Sequence, residues 1–266
     1  MQDARLPRLE LQLLLAKVVD QRREWLIAHD DHVLTPEQSE QFGSLYVRRL
    51  AGEPMAYLLG QREFMGLAFE VNPAVLIPRP ETELLVQTAL ERVAQMRQPR
   101  ILDLGTGSGA IAVSLAHARP DATVWATDIS DAAMALAKRN AQRHGVVIEC
   151  HVGNWFEALP VDTLPFDVIV SNPPYIHPDD DHLRQGDLRF EPRQALTEGM
   201  DGLSVYRTLT ESAAQHLAPG GWLCVEHGFD QSRDINAIFK GAGLQTIETL
   251  LDLSGHPRVT AGSYNT

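Results

Sequence analysis

Asp103-Leu104-Gly105-Thr106-Gly107-Ser108-Gly109 stands between a short apolar run, Ile101-Leu102, and an apolar stretch from Ala110 to Ala118. The first run reads as a buried strand and the second as a helix, with the glycines as the turn between them. Glycine at such a turn lets the backbone bend sharply and come close to a ligand. Outward from this loop the alternation continues. Residues 123–127 read as a second strand, 131–144 as a helix, 146–152 as a third strand and 166–171 as a fourth. A helix over 203–217, a strand over 221–226 and a helix over 231–242 follow, then strands near 244–250 and 257–262. That rhythm predicts an α/β fold: seven strands, mostly parallel, with helices on both faces.

The glycine loop alone fits two ligand classes. Gly105-x-Gly107-x-x-Ala110 also satisfies a dinucleotide fingerprint, and Asp128, ending the second strand, suits ribose hydroxyls in either case. Asp103 tips the balance to S-adenosyl-L-methionine, because a carboxylate before the first glycine can meet the ammonium of a methionine moiety. Stronger support lies where the fourth strand, Phe166 to Ser171, runs into Asn172-Pro173-Pro174-Tyr175. Ligands in open α/β sheets bind at the carboxyl ends of strands. The prolines stiffen this loop and remove donors. The Asn172 side-chain oxygen and the Pro173 carbonyl remain as acceptors that match the two hydrogens of an NH₂ group. Tyr175 offers a flat face to a planar group. An amide or aromatic amine nitrogen is a poor nucleophile with a delocalised lone pair, and two fixed acceptors can aim it at a sulfonium methyl. Hydride transfer has no evident use for such a loop. Asn172, Pro173 and Tyr175 are thus the expected catalytic residues, and Asn172 through Tyr175 the expected acceptor-binding residues.

Composition bounds the partners. The chain has 266 residues, is 44% hydrophobic and carries a formal charge of −12. It can bury a sizeable core, and its field repels polyphosphate, so broad electrostatic binding to nucleic acid is not expected. Cys150 and Cys224 lie in apolar runs and read as buried, reduced thiols; two cysteines make neither a disulfide scaffold nor a cysteine-type zinc site. Asp3, Arg5, Arg8 and Glu10 break the N-terminal leucines, no secretory signal is present, and no apolar run reaches about 18 residues. A soluble, cytoplasmic protein without membrane contact is expected. Asp179-Asp180-Asp181 with His177 and His182 reads as a solvated acidic loop rather than a metal site.

N-terminal to the linker the pattern is helical. Leu9, Leu11, Leu14, Leu15, Val18 and Val19 recur at helical spacing, and Thr35-Pro36-Glu37-Gln38 is a helix start. Residues 1–65 are expected to form a helical docking domain. Residues 66–82 form a hairpin and linker, with the hairpin signal spread over Phe64 to Val75, and residues 83–266 form the catalytic domain. The polar stretch from Ile176 to Met200 is long enough to be a lid or recognition loop. Arg79, Glu81 and Glu83 either meet substrate or fix the domain junction.

Across nearly its whole length the sequence closely resembles the bacterial peptide chain release factor N5-glutamine methyltransferases. The resemblance rests on the two loops and on Gly52-Glu53-Pro54-Met55-Ala56-Tyr57-Leu58-Leu59-Gly60, Phe64-Met65-Gly66-Leu67 and Leu76-Ile77-Pro78-Arg79-Pro80-Glu81-Thr82-Glu83. Glu191-Pro192, Ala195-Leu196, Gly199-x-Asp201-Gly202-Leu203, Glu226-His227-Gly228 and Gly255-His256-Pro257-Arg258-Val259 extend it. It implies a Rossmann-like class I methyltransferase sheet of seven strands with a small N-terminal helical bundle. It implies N5-methylation of the glutamine in the Gly-Gly-Gln motif of release factors 1 and 2; a monomer without direct nucleic acid contact is the accompanying expectation. Asp103, Gly105, Thr106, Gly107, Ser108, Gly109, Asp128, Trp155 and Asn172 would then bind S-adenosyl-L-methionine. Asn154 departs from the acid often found before Trp155 in such enzymes, although its side-chain oxygen can accept the same hydrogen bond. Two rivals remain at this point: a nucleic-acid adenine or guanine amino-methyltransferase, and a cofactor-binding scaffold without catalysis.

Overall fold

The computed structural model describes residues 5–198 and 200–264. Asp3 of the N-terminal charge pattern and Gly199 of the family motif lie outside these residues. The chain opens with helices α1 (Arg8–Val19), α2 (Arg23–Ala28), α3 (Pro36–Leu50) and α4 (Met55–Leu59). Helix α3 starts as the sequence requires: Thr35 and Gln38 close a reciprocal capping box and Pro36 opens the first turn. These helices share a small core of Leu14, Val18, Leu45 and Leu58. With Leu6, Phe42, Met55 and Leu59 packed against it, this is still a small core for a module of about 60 residues. The module therefore leans on its neighbours. Tyr57 provides one anchor: its hydroxyl donates to the Val75 carbonyl at 2.6 Å, and its ring packs with Val71, Val75, Ile77 and Leu136.

A hairpin follows, β1 (Gln61–Phe64) and β2 (Leu67–Glu70), turning at Met65-Gly66. It lies earlier than the 64–75 span expected. Asn72 and Pro73 end it, since Pro73 cannot donate to a ladder and the Asn72 side chain caps the Ala74 amide at 2.9 Å.

The remaining chain forms α5 (Glu83–Arg92), β3 (Arg100–Leu104), α6 (Ala110–Ala118), β4 (Thr123–Asp128), α7 (Asp131–Arg143), β5 (Glu149–Val152), β6 (Phe166–Ser171), α8 (Ser204–His216), β7 (Leu217–Glu226), α9 (Ser232–Gly241), β8 (Gln245–Leu251) and β9 (Pro257–Ser263). The seven-stranded sheet has the order β5-β4-β3-β6-β7-β9-β8; β9 alone runs antiparallel, inserted between β7 and β8. Strand β3, fully buried at Ile101 and Leu102, sits near the centre. One face is covered by α5 and α6 with the hairpin's Phe64 and Phe69, the other by α8 and α9. Two strands differ from expectation. Strand β7 starts at Leu217 rather than 221, because a register shift opposite Phe166–Val168 absorbs Pro219 and Gly220. Strand β5 is short, at the sheet edge, and its Cys150 is half-buried rather than enclosed, while Cys224 is fully buried and burial pushes its thiol up to about 12.

Candidate active site

The glycine loop lies at the carboxyl end of β3. Gly105, Gly107 and Gly109 have φ of 74°, 56° and 80°, a region costly for residues with a Cβ. Their surroundings divide them. A Cβ on Gly107 would meet nothing within 4 Å, and one on Gly105 would come 3.1 Å from the Trp155 ring. One on Gly109 would press against the Ala137 Cα and Cβ at 3.0 Å. Gly107 thus faces open space, Gly105 lets the Trp155 ring lie against the loop, and Gly109 lets α6 approach α7.

That open space is a cavity of about 970 Å³, mouth included. Gly105, Thr106, Gly107, Ser108, Asp128, Trp155 and Asn172 line it, all expected from sequence. Asp103 and Gly109 are not among the lining residues. Asp103 is 0% exposed beneath the loop, where its Oδ2 accepts from the Thr106 hydroxyl at 2.6 Å and the Ala112 amide at 3.2 Å. Desolvation raises its pKa to about 7 against the pull of those donors, and Oδ1 has no partner. Its position is that of a brace for the loop, not of a direct ligand for an ammonium group.

Asp128 ends β4 with both oxygens held by backbone amides, Gly107 to Oδ2 and Ser130 to Oδ1, each at 2.8 Å. Burial raises its pKa and these two donors oppose the rise. Each oxygen keeps a lone pair for a hydroxyl donor. Ile129, 64% exposed in isolation, and Trp155 add apolar surface to the cavity. Trp155 itself adopts φ 45°, an uncommon conformation for a bulky residue and the kind of strain that collects at ligand sites.

Strand β6 delivers Asn172-Pro173-Pro174-Tyr175 beside the glycine loop. The Asn172 Nδ2 donates to Thr82 Oγ1 at 3.2 Å, which leaves Oδ1 buried and unpartnered. This is the orientation in which the oxygen can accept from an NH₂ group. Behind Tyr175, Gln231 ties the loop down by donating to the Tyr175 and Gly202 carbonyls at 3.2 and 3.1 Å. A second cavity of about 340 Å³ is lined by Pro173, Tyr175, Ile176, Leu188 and Glu226, and shares Leu76, Arg79, Asn172 and Ala195 with the first. Pro174 lines only the first.

Sequence reasoning missed part of this wall. Ala74, Val75, Leu76, Pro78 and Thr82 all line the first cavity, so the proline-stiffened linker is itself part of the site. Glu226 was noted only within a motif. Segment 176–198 folds into short 3-10 turns, and its Gln194 and Ala195 reach the first cavity. Asp180 caps one turn by accepting from the His182 amide at 2.8 Å, so the acidic run has a local structural use. Buried Glu191 fastens this segment to the linker: it pairs with Arg79 at 2.5 Å and accepts from the Ile77 amide at 3.2 Å. Arg189 reaches the Ala51 carbonyl at 3.0 Å, passing where a Cβ on Gly52 would stand. Glu191→Ala should therefore lower stability by roughly 1–3 kcal/mol, the cost of stranding such partners. It should also raise amide exchange across 176–198; unchanged exchange there would contradict the clamp.

The family descriptions Methyltransferase small domain and PrmC N-terminal domain match residues 80–188 and 1–60. A protein of Bordetella pertussis named release factor glutamine methyltransferase is 52% identical over 260 residues, covering 98% of this chain and 96% of its own. Proteins of the same name from Neisseria gonorrhoeae and Salmonella typhimurium are 48% and 44% identical, covering 98% and 99% of this chain and 95% of each of theirs. Among solved structures, a methyltransferase from Pyrococcus furiosus superposes with TM-score 0.55 at 19% identity, covering 83% of this chain and 98% of its own. A Thermus thermophilus 16S rRNA N2 G1207 methyltransferase in complex with AdoMet and guanosine superposes with TM-score 0.57 at 21% identity, covering 77% and 50%. These two likenesses establish the fold.

Proposed function

The chain belongs to the release factor glutamine methyltransferase family, and on that premise we propose that it methylates the N5 amide of the glutamine in the Gly-Gly-Gln motif of peptide chain release factors 1 and 2. The observation that carries this reading is Asn172. It lines both cavities, and its side-chain oxygen is left free by the bond from Nδ2 to Thr82. A donor in the first cavity and a carboxamide in the second would meet there.

The first cavity fits S-adenosyl-L-methionine. Gly107 is open to close approach, Asp128 keeps lone pairs for ribose hydroxyls, and Ile129 and Trp155 offer apolar faces to an adenine. Asn154 can accept from the adenine amino group without charge. Gly105, Thr106, Gly107 and Ser108 would wrap the cofactor, while Asp103 and Gly109 hold the loop in shape. When bound, the cofactor supplies an electrophilic methyl group on a sulfonium. The residues of the chain do the rest. Asn172 Oδ1 and the Pro173 carbonyl accept the two N–H bonds of the acceptor, which sets its plane and turns the nitrogen lone pair towards the first cavity. Tyr175 packs against the planar group. Pro173 and Pro174 keep these acceptors from relaxing.

The helical module, residues 1–65, and the segment 176–198 would dock the release factor. Their linkage through Arg189 and Ala51 supports a joint surface, as do exposed Val33, Val47 and Leu50. A charge of −12 supports a protein partner over direct nucleic acid contact, and among the described residues no helix is long and apolar enough to cross a membrane. We take the protein to act in the cytoplasm as a monomer. Incubation with release factor and labelled cofactor, followed by mass spectrometry, should locate one added methyl on the glutamine of Gly-Gly-Gln. Label that enters only nucleic acid would refute the reading.

A further inference from the structure

The second cavity contains a group for which carboxamide binding has no use. Glu226, at the end of β7, is 1% exposed and lines that cavity with Asn172, Pro173 and Tyr175. Its Oε1 accepts from the Tyr175 hydroxyl at 3.4 Å, and its Oε2 is buried without a partner in hydrogen-bond geometry, although the Thr82 hydroxyl lies near the carboxylate. Such an atom is costly unless something meets it. The backbone carrying it is fixed, because Glu226 pairs with Val259 of β9 and its carbonyl accepts from the Tyr206 hydroxyl at 2.9 Å.

Amide methylation creates a need for such a group. As the nitrogen–carbon bond forms, the sulfur–carbon bond breaks and its electron pair stays on sulfur. The nitrogen has spent its lone pair and becomes positively charged, still bearing both hydrogens. One N–H bond must then break, its electrons returning to nitrogen. Asn172 and the Pro173 carbonyl accept hydrogen bonds, but neither is basic enough to keep a proton near neutral pH. Arg79 is a cation, and burial drives the Tyr175 phenol further from ionisation. Glu226 is the one remaining Brønsted base among the lining residues. Resting on the function proposed above, we propose that Glu226 is the proton acceptor of the reaction: as the methyl group arrives and the nitrogen becomes tetrahedral, one N–H swings off its Asn172 or Pro173 acceptor and passes its proton to the Glu226 carboxylate.

The electrostatics agree with this role. Burial raises the Glu226 carboxyl to about 7, opposed by Thr82, Arg258 and Tyr175 and assisted by Glu81. The other groups around it are Arg79, Tyr206 and the adjacent His227, whose ring nitrogens are engaged by Gly228 and Thr260. A base near 7 is largely ionised at slightly alkaline pH and still strong enough to receive a proton. Below about 7 it is protonated and cannot act, so the rate should rise with pH through that value and then level off.

Single-turnover methyl transfer to release factor, at saturating cofactor and release factor, tests the proposal across pH 5.5 to 9. The wild-type profile should show the rising limb. Glu226→Gln should be about 10²-fold slower or more, lack that limb, and bind release factor within roughly threefold of wild type. In the cofactor-free protein, the ¹³C carboxyl resonance missing from Glu226→Gln should titrate near 7. The proposal is overturned if Glu226→Gln keeps a rate within about threefold of wild type, if its rising limb persists, or if that resonance titrates near 4. A wild-type enzyme that leaves release factor unmethylated sinks the parent reading instead, and Glu226 with it.

Discussion

Asn172→Ala should slow methyl transfer to release factor by about 10³-fold, with the cofactor dissociation constant changed by no more than a few-fold. Asn172 is placed to act on the nitrogen rather than to hold the nucleoside. Its Oδ1 is buried and unpartnered, and Thr82 fixes which end of the amide faces the cavity. Removing a preorganised polar partner of the reacting group costs about 10²–10³ in rate. Misplacing the acceptor plane, which Asn172 and Pro173 set together, adds to that loss. Thr82→Val should show a weaker form of the same effect, since the amide loses the partner that orients it. Rates at saturating substrate, with cofactor affinity measured separately by calorimetry, check both variants. An Asn172→Ala enzyme retaining a tenth of the wild-type rate would mean that the Pro173 carbonyl suffices.

Gly109→Val should destabilise the protein by roughly 3–5 kcal/mol, lowering the melting temperature by about 6–20 °C. Two costs add here. At φ 80° a β-branched residue is strained by about 1–3 kcal/mol. Its Cβ also meets the backbone of Ala137 at 3.0 Å, so α6 and α7 must part. Gly107→Ala makes the contrast. Nothing stands within 4 Å of its Cβ, so stability should fall by only about 1 kcal/mol while cofactor affinity suffers. Melting curves and cofactor titrations of the two variants separate a packing glycine from a ligand-facing one. If Gly109→Val melted like the wild type and lost cofactor binding, the assignment would be reversed.

Much of this was legible in the sequence because the signals are local. A strand that ends in glycines before a helix, or in Asn-Pro-Pro-Tyr, announces both its element and its direction, and the parallel sheet then places the two loops side by side. The Thr35–Gln38 capping box is equally local. What escaped depends on partners distant in the chain. Asp103 and Asp128 look alike in sequence as acids ending strands. Only the fold buries the first under Thr106 and Ala112 and leaves the second at the cavity wall. The three glycines of the loop look equivalent until Ala137 is seen against one of them. Thr82 and Glu226 belong to the site because residues far apart in sequence converge on Asn172 and Tyr175. Cys150 seemed interior because its neighbours are apolar, yet β5 is an edge strand.

The place of β9 in the sheet has a consequence for how the protein is made. A chain emerging from the ribosome presents β7 and then β8, but β8 has no strand to pair with until residues 257–263 arrive between them. Until then the flank of β7, with Leu223, Cys224 and Val225, is an open apolar edge. Nascent chains halted between Glu226 and Pro257 would expose that edge and stick to one another or to chaperones. A stop codon or frameshift just before β9 would therefore do more harm than the loss of one strand suggests, even though every lining residue of both cavities, up to Glu226, had already been synthesised.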